Sequence, residues 1–172
     1  MIYNGSRWMA HWCKPRLGKK NNDEGLGANP TDRGRSGSKI HLQVDGGGNP
    51  LSVVVVGANV HDSRLVGATI EEAILVFESG DETINNLCLD KGYDYERVRQ
   101  EVRGYNLEPH IRSRGEEVTE KAHPARRWVV ERTFAWLKGF RSIRTRYCHR
   151  LTNYVAMVHL ACAIILFRKL CT

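Results

Sequence analysis

The strongest constraint on the fold is a hydrophobic period that changes repeatedly between Ile40 and Leu170. Ile40 to Val44 alternates apolar and polar residues, Asp45-Gly46-Gly47-Gly48-Asn49-Pro50 reads as a turn, and Leu51 to Val56 is a β-branched run. This pattern predicts a hairpin whose second strand is buried. A helix from about Ser63 to Phe77 should follow, capped by Asp62 or Ser63, with Leu65, Ala68, Thr69, Ala73 and Val76 roughly on one side. Leu87 to Leu89 is a short apolar strand that ends in Asp90, Tyr95 to Arg103 is helical, and Leu107 to Ile111 is a second short strand. Arg112 to Ala122 is charged and reads as a loop. A helix around Arg127, its extension from Phe140 to Arg150 and an apolar helix from about Leu151 to Leu170 complete the order. Strands that alternate with helices favour parallel pairing in an α/β layer, whose sites lie just past the carboxyl ends of the strands. Asp90 occupies such a position, although an acid there can equally cap the next helix.

The Arg127 helix carries the most chemistry. Arg127, Glu131 and Lys138 stand at i, i+4 and i+11, within about 40° of one another on a helix surface. Val129, Val130, Thr133, Phe134, Leu137 and Phe140 form an apolar face beside them. By spacing alone this is either a site or a surface helix with a solvated ion pair, which contributes little. Ala28 to Lys39 is a loop by its Gly, Pro, Asn and Ser content. Its glycines and basic residues would let backbone approach phosphate, or it is a solvated connector. His61 fits a capping or packing role better than a ligand role. Residues 1–27 show no clear period, although Trp8 and Trp12 can pack.

The 172 residues suffice for one domain with a core. The formal net charge of +7, from 26 Lys and Arg against 19 Asp and Glu, suits a polyanionic partner, nucleic acid first. The five cysteines include no C-x-x-C pair, and the odd count argues against a complete disulfide framework. Cys88 and Cys162 lie in apolar runs and read as buried thiols of a reducing cytoplasm. No apolar signal-peptide core opens the chain. The run from Tyr154 to Phe167, interrupted by His159, is shorter than the ~20 residues that span a bilayer, so a buried helix and no membrane partner are expected.

Several motifs in order resemble the DDE transposases of bacterial insertion sequences. They are Asn29-Pro30-Thr31-Asp32-Arg33-Gly34, Gly37-Ser38-Lys39, Ala58-Asn59-Val60-His61-Asp62, Leu89-Asp90-Lys91-Gly92-Tyr93 and the Arg127 helix. The resemblance runs from about Ala28 to Leu170. It implies an α/β, RNase H-like mixed sheet flanked by helices, and three acids that hold two Mg²⁺ or Mn²⁺ ions. It also implies cleavage of DNA at transposon ends and joining of the freed 3′ hydroxyl to a target. By position Asp90 matches the second acid and Glu131 the third. The family's helix signature of Tyr, two residues, Arg, three residues, Glu, six residues and Lys is met at Arg127, Glu131 and Lys138, with Pro124 in the tyrosine place. Matching Lys14, Leu17 and Gly18 to the family's segment before the loop puts the first acid near Met9, yet Met1 to Asn22 contain no Asp or Glu.

The expectation is therefore a poorly defined segment over 1–27 and an RNase H-like domain over 28–172 that is truncated at its front and lacks the first strand. The family's usual amino-terminal DNA-binding region is expected to be absent too. Asp90 and Glu131 would hold metal, with Arg127 and Lys138 beside them. Arg127, Arg132, Lys138, Arg141, Arg144 and Arg146 would hold DNA by charge. The implied partners are transposon-end and target DNA and a second copy or a full-length transposase. As part of a full enzyme, such a chain would take part in metal-dependent strand cleavage and transfer. The alternative is a catalytically inactive fragment that binds DNA or a transposase, as an inhibitor or a decayed remnant.

Overall fold

A computed structural model describes residues 5–15, 25–30, 33–73, 85–111 and 127–171, with main chain only for 5–15, 85 and 127. Strand β1 (Gly5–Pro15) lies at the centre of the sheet. One edge pairs antiparallel with β3 (Ser36–Val44), from Arg7 opposite Val44 to Cys13 opposite Ser38. The other edge pairs parallel with β5 (Asn85–Leu89), from Gly5 beside Asn86 to Arg7 beside Cys88. β3 returns through a hairpin to β4 (Pro50–Gly57), and β5 pairs parallel with β6 (Leu107–Ile111). The long strands thus run β4-β3-β1-β5-β6. The two-residue strands β2 (Gly27–Ala28) and β7 (Thr145–Arg146) pair with β3 and β1.

The central strand overturns the expectation that the first strand is lacking. This strand contains no Asp or Glu. Ser6 to Pro15 mixes polar, basic and aromatic residues with no period of two. A strand in a sheet covered by helices on both faces does not need the clean alternation that marks a half-solvated one.

The helices lie on both faces. α1 (Val66–Glu71), α2 (Glu96–Gly104), α3 (Arg127–Gly139), α4 (Arg141–Arg144) and α5 (Leu151–Leu170) follow in order. The helix expected over Ser63–Phe77 is split. A 3-10 turn at Asp62–Arg64, capped by His61 Nδ1 accepting from the Ser63 amide, precedes a six-residue α1. Residues 74–84 lie outside the described part, as do Asp32, Pro124 and the loop expected at Arg112 to Ala122. The extension expected from Phe140 to Arg150 is the short α4 followed by β7.

Each face of the sheet has its own core. On one side Ile40, Leu42, Val44, Val53 and Val55 meet Val129, Val130, Phe134 and Leu137 of α3, Ile143, and Tyr154, Val158, Ala161, Cys162 and Ile165 of α5. On the other, Val66 and Ile70 of α1 and Val98 and Val102 of α2 pack with Leu87, Leu89, Tyr93, Leu107 and Ile111. Each fully buried aliphatic side chain contributes roughly 1.5–3 kcal/mol. Burial pushes the Cys162 thiol up to about 12, which leaves it an inert core group.

α5 is half-buried rather than buried. By length and composition it is apolar enough to cross a membrane, but its Tyr154–Ile165 face lies in the core. Met157, Leu160, Phe167 and Leu170 are exposed on the helix.

The β3–β4 turn fastens α3 and α5 to the sheet. The Gly48 carbonyl accepts the Thr133 hydroxyl at 2.9 Å, and the Gly47 carbonyl accepts Arg132 at 2.8 Å and Lys169 at 2.8 Å. Asp45 closes the turn by accepting from the amides of Gly47 and Asn49, each at 2.8 Å. Gly48 has φ +81°, and a Cβ there would lie 3.0 Å from Thr133 Oγ1. Both constraints require glycine.

His41, on the α1-facing side of β3, is fully buried, and neither ring nitrogen has a hydrogen-bond partner. Its Nε2 is 3.6 Å from Asp62 Oδ1, beyond good hydrogen-bond reach. Burial lowers its pKa to about 4, a fall opposed by Asp62 and aided by Lys39.

Gly48→Ala should cost about 1–3 kcal/mol of stability in chemical denaturation. Gly47→Ala should cost less, because its Cβ would meet only the Asp45 and Asn49 side chains, at 3.3 Å and 3.5 Å. The lowered His41 pKa means that the unfolded chain binds this proton more readily. The stability it confers is therefore fully present above about pH 6.5 and is lost as pH falls toward about 4, roughly 3 kcal/mol in all. His41→Gln should flatten that part of the stability–pH curve. An unchanged slope would show that the proton goes elsewhere.

Candidate functional site

Alternation along β5 decides which way the site faces. Leu87 and Leu89 point into the α1–α2 core. Cys88, and Asp90 one step past the strand, therefore belong to the opposite side. The register agrees: Arg7 of β1 stands between Val44, which lies in the α3–α5 core, and Cys88. Asp90 and α3 thus share one side of the sheet. Two residues beyond the Arg7–Cys88 rung, position 9 of β1 comes level with Asp90. The place where the resemblance expects a first acid therefore lies beside Asp90, and Met9 occupies it.

Asp90 caps a 3-10 turn at Lys91–Tyr93, its Oδ1 accepting the Lys91 amide at 2.8 Å. Glu131 is exposed on α3. It lies about 160° around the helix from Thr133, hence on the flank away from the β3–β4 turn. Lys138 is exposed on that same flank, and the backbone position of Arg127, one turn before Glu131, places it there too.

The basic residues divide. Arg141, Arg144 and Arg150 are exposed, with Arg141 Nε donating to Tyr147 Oη at 3.1 Å. Arg132 turns toward the hairpin and lies over the rings of Trp128 and Trp136, at 4.7 Å and 5.0 Å. Arg146 departs from the expected basic surface, being only 2% exposed. Its guanidinium donates to Ser38 Oγ at 2.6 Å and to the carbonyls of Cys148 at 2.9 Å and His149 at 2.8 Å, and it lies over the Tyr154 ring. These bonds join the end of β3 to the segment before α5. Its sequence neighbours Arg144 and Arg150 look no different, so composition could not single it out.

Lys39 and Asp62, which the sequence presents only within separate motifs and, for Asp62, as a cap, are paired by the fold. Lys39 Nζ donates to Asp62 Oδ1 at 2.7 Å and to the Val60 carbonyl at 3.0 Å. The signal was present in the order Ala58-Asn59-Val60-His61-Asp62, but only the fold brings β3 to it.

Among the described residues no group of three or more His, Cys, Asp or Glu is gathered as a metal site. Asp90 and Glu131 offer oxygen donors on one side of the sheet, the kind that hard divalent cations take. They fit such an ion in kind, as two carboxylates rather than a gathered group of three.

The family described as Transposase DDE domain matches residues 10–166. A Burkholderia cepacia protein, "Putative transposase for insertion sequence element IS402", is 37% identical over 162 residues, which cover 92% of this chain and 72% of the relative. Among solved structures, a piggyBac transposase in a synaptic complex with hairpin DNA superimposes with a TM-score of 0.42 and 12% identity. That match covers 72% of this chain and 27% of the other. The span of the family match, together with more than a third of aligned positions shared with an insertion-sequence relative, settles the lineage: this chain belongs to the DDE transposases of insertion sequences.

Proposed function

We propose that the chain serves DNA transposition at insertion-sequence ends through an RNase H-like catalytic domain, as part of a full transposase in the cytoplasm. Asp90 and Glu131 are two of its metal-holding acids. The observation that carries this reading is that Asp90 and α3 share one side of the sheet, with position 9 level with Asp90. A mixed sheet with helices on both faces is what an RNase H-like fold requires. Mg²⁺ or Mn²⁺ would be held by Asp90 and Glu131. Arg127 and Lys138, on the Glu131 flank of α3, would hold the DNA backbone by charge, with Arg141 and Arg144 extending that contact. Bound there, such ions would supply activation of a water or hydroxyl and stabilisation of the leaving oxygen. With one carboxylate missing, metal binding is weak and the chain alone does not complete that chemistry.

A second reading follows from the absence of any Asp or Glu in Met1 to Asn22. The chain then grips transposon-end or target DNA, or a full-length transposase, without cutting. The two readings share the DNA contact and differ in strand cleavage.

Purified chain incubated with Mg²⁺ or Mn²⁺ and matched transposon-end DNA should show little nicking. Efficient nicking that disappears in Asp90→Asn would mean that a complete site exists and would defeat the second reading. In both readings DNA affinity falls steeply with salt, by about 0.9 log units per log unit of salt for each phosphate contact. Lys138→Gln should lower that slope by about 1. Affinity indifferent to salt would contradict the charge-based contact.

A further inference from the structure

We infer that Asp62 is a positioning residue for Asp90, acting through its pair with Lys39. The inference rests on the reading of Asp90 as a metal-holding acid. Asp90 is oriented by the 3-10 turn that it caps, at Lys91–Tyr93. That turn packs against the other 3-10 turn, Asp62–Arg64. Further ties join the two segments. The His61 ring meets Tyr95 edge-on, with centroids 6.0 Å apart. Arg97 of α2 donates to the Ser63 carbonyl at 2.7 Å. The Tyr93 side chain is buried, and the charges of both Asp62 and Asp90 act on its hydroxyl.

The Asp62 turn is itself fixed to the sheet by Lys39. One ammonium spans the Val60 carbonyl and the Asp62 carboxylate, and so ties the segment after β4 to the middle of the sheet. The Lys39 and Asp62 side chains are 17% and 36% exposed, which makes this pair less screened than one on open surface. The chain of contacts runs from Lys39 to Asp62, from the first turn to the second, and ends at the Asp90 carboxylate. Holding the turn that Asp90 caps in place fixes the direction of that carboxylate and hence its affinity for the ion.

Positioning and plain electrostatics predict opposite signs. Removing Asp62 deletes a negative charge near the site, and removing Lys39 deletes a positive one. By charge alone the first weakens cation binding and the second strengthens it. If the pair positions Asp90, both weaken it.

The test is Mn²⁺-induced broadening of the Lys91 and Gly92 amide resonances in the ¹⁵N-labelled full chain, with thermal unfolding recorded for every variant. Asp62→Asn and Lys39→Met should each raise the Mn²⁺ concentration for half-broadening by about tenfold. Their double variant should do no more than either alone, and Lys39→Arg should restore the natural response. If Asp62→Asn fails to fold, Lys39→Met alone carries the sign test. Tighter Mn²⁺ response in Lys39→Met, or no change in either variant while Asp90→Asn abolishes broadening, overturns the positioning role alone. Broadening that survives Asp90→Asn unchanged overturns the metal reading and the positioning role with it.

Discussion

The hydrogen bonds along the two edges of β1 hold the molecule in one piece. On one edge is the antiparallel half, the β3–β4 hairpin with its Ile40, Leu42 and Val44 face under α3 and α5. On the other is the parallel half, β5 and β6 with α2 across them. Among the described strands, β1 alone pairs with both β3 and β5. The same rungs also place the candidate residues. They bring position 9 level with Asp90, on the side of the sheet where α3 packs. A slip of one residue in β1 would turn every side chain to the other face. The candidate site therefore depends on the register that also joins the two cores.

Around that centre the arginines and lysines do two kinds of work. Arg146 is sealed in and spends its donors on backbone carbonyls and Ser38, so removing it would leave buried acceptors unsatisfied. Arg132 and Lys169 hold the β3–β4 turn against α3 and α5 and rest on tryptophan rings. Lys138, Arg141, Arg144 and Arg150 face solvent. The formal charge of +7 therefore overstates what is available to a polyanion, since several cations are committed to the fold.

Local signals were legible where one period dominated. The hairpin, β5 with Asp90 at its end, α2, β6 and α5 all lie close to where periodicity and turn chemistry put them. β1 was not legible, because a strand in a sheet covered on both faces need not alternate. α1 was read too long, since the apolar spacing from Leu65 to Val76 looks continuous, while the structure makes a 3-10 turn at Asp62–Arg64 and a short helix. Of the candidate residues, Asp90 stands at the end of β5, and Glu131 and Lys138 share one exposed flank of α3, where type and spacing put them. The burial of Arg146 and the Lys39–Asp62 pair could not be read that way, because each depends on segments far apart in sequence.

Position 9 offers the most direct trial of this arrangement. If Asp90 and Glu131 face the same space beside β1, a carboxylate at position 9 completes the donor set. Calorimetric titration with Mn²⁺ should then show the Met9→Asp chain binding at least about tenfold more tightly than the natural chain. The gain should vanish when Asp90→Asn is added. Equal affinities for the Met9→Asp and natural chains would contradict the shared face.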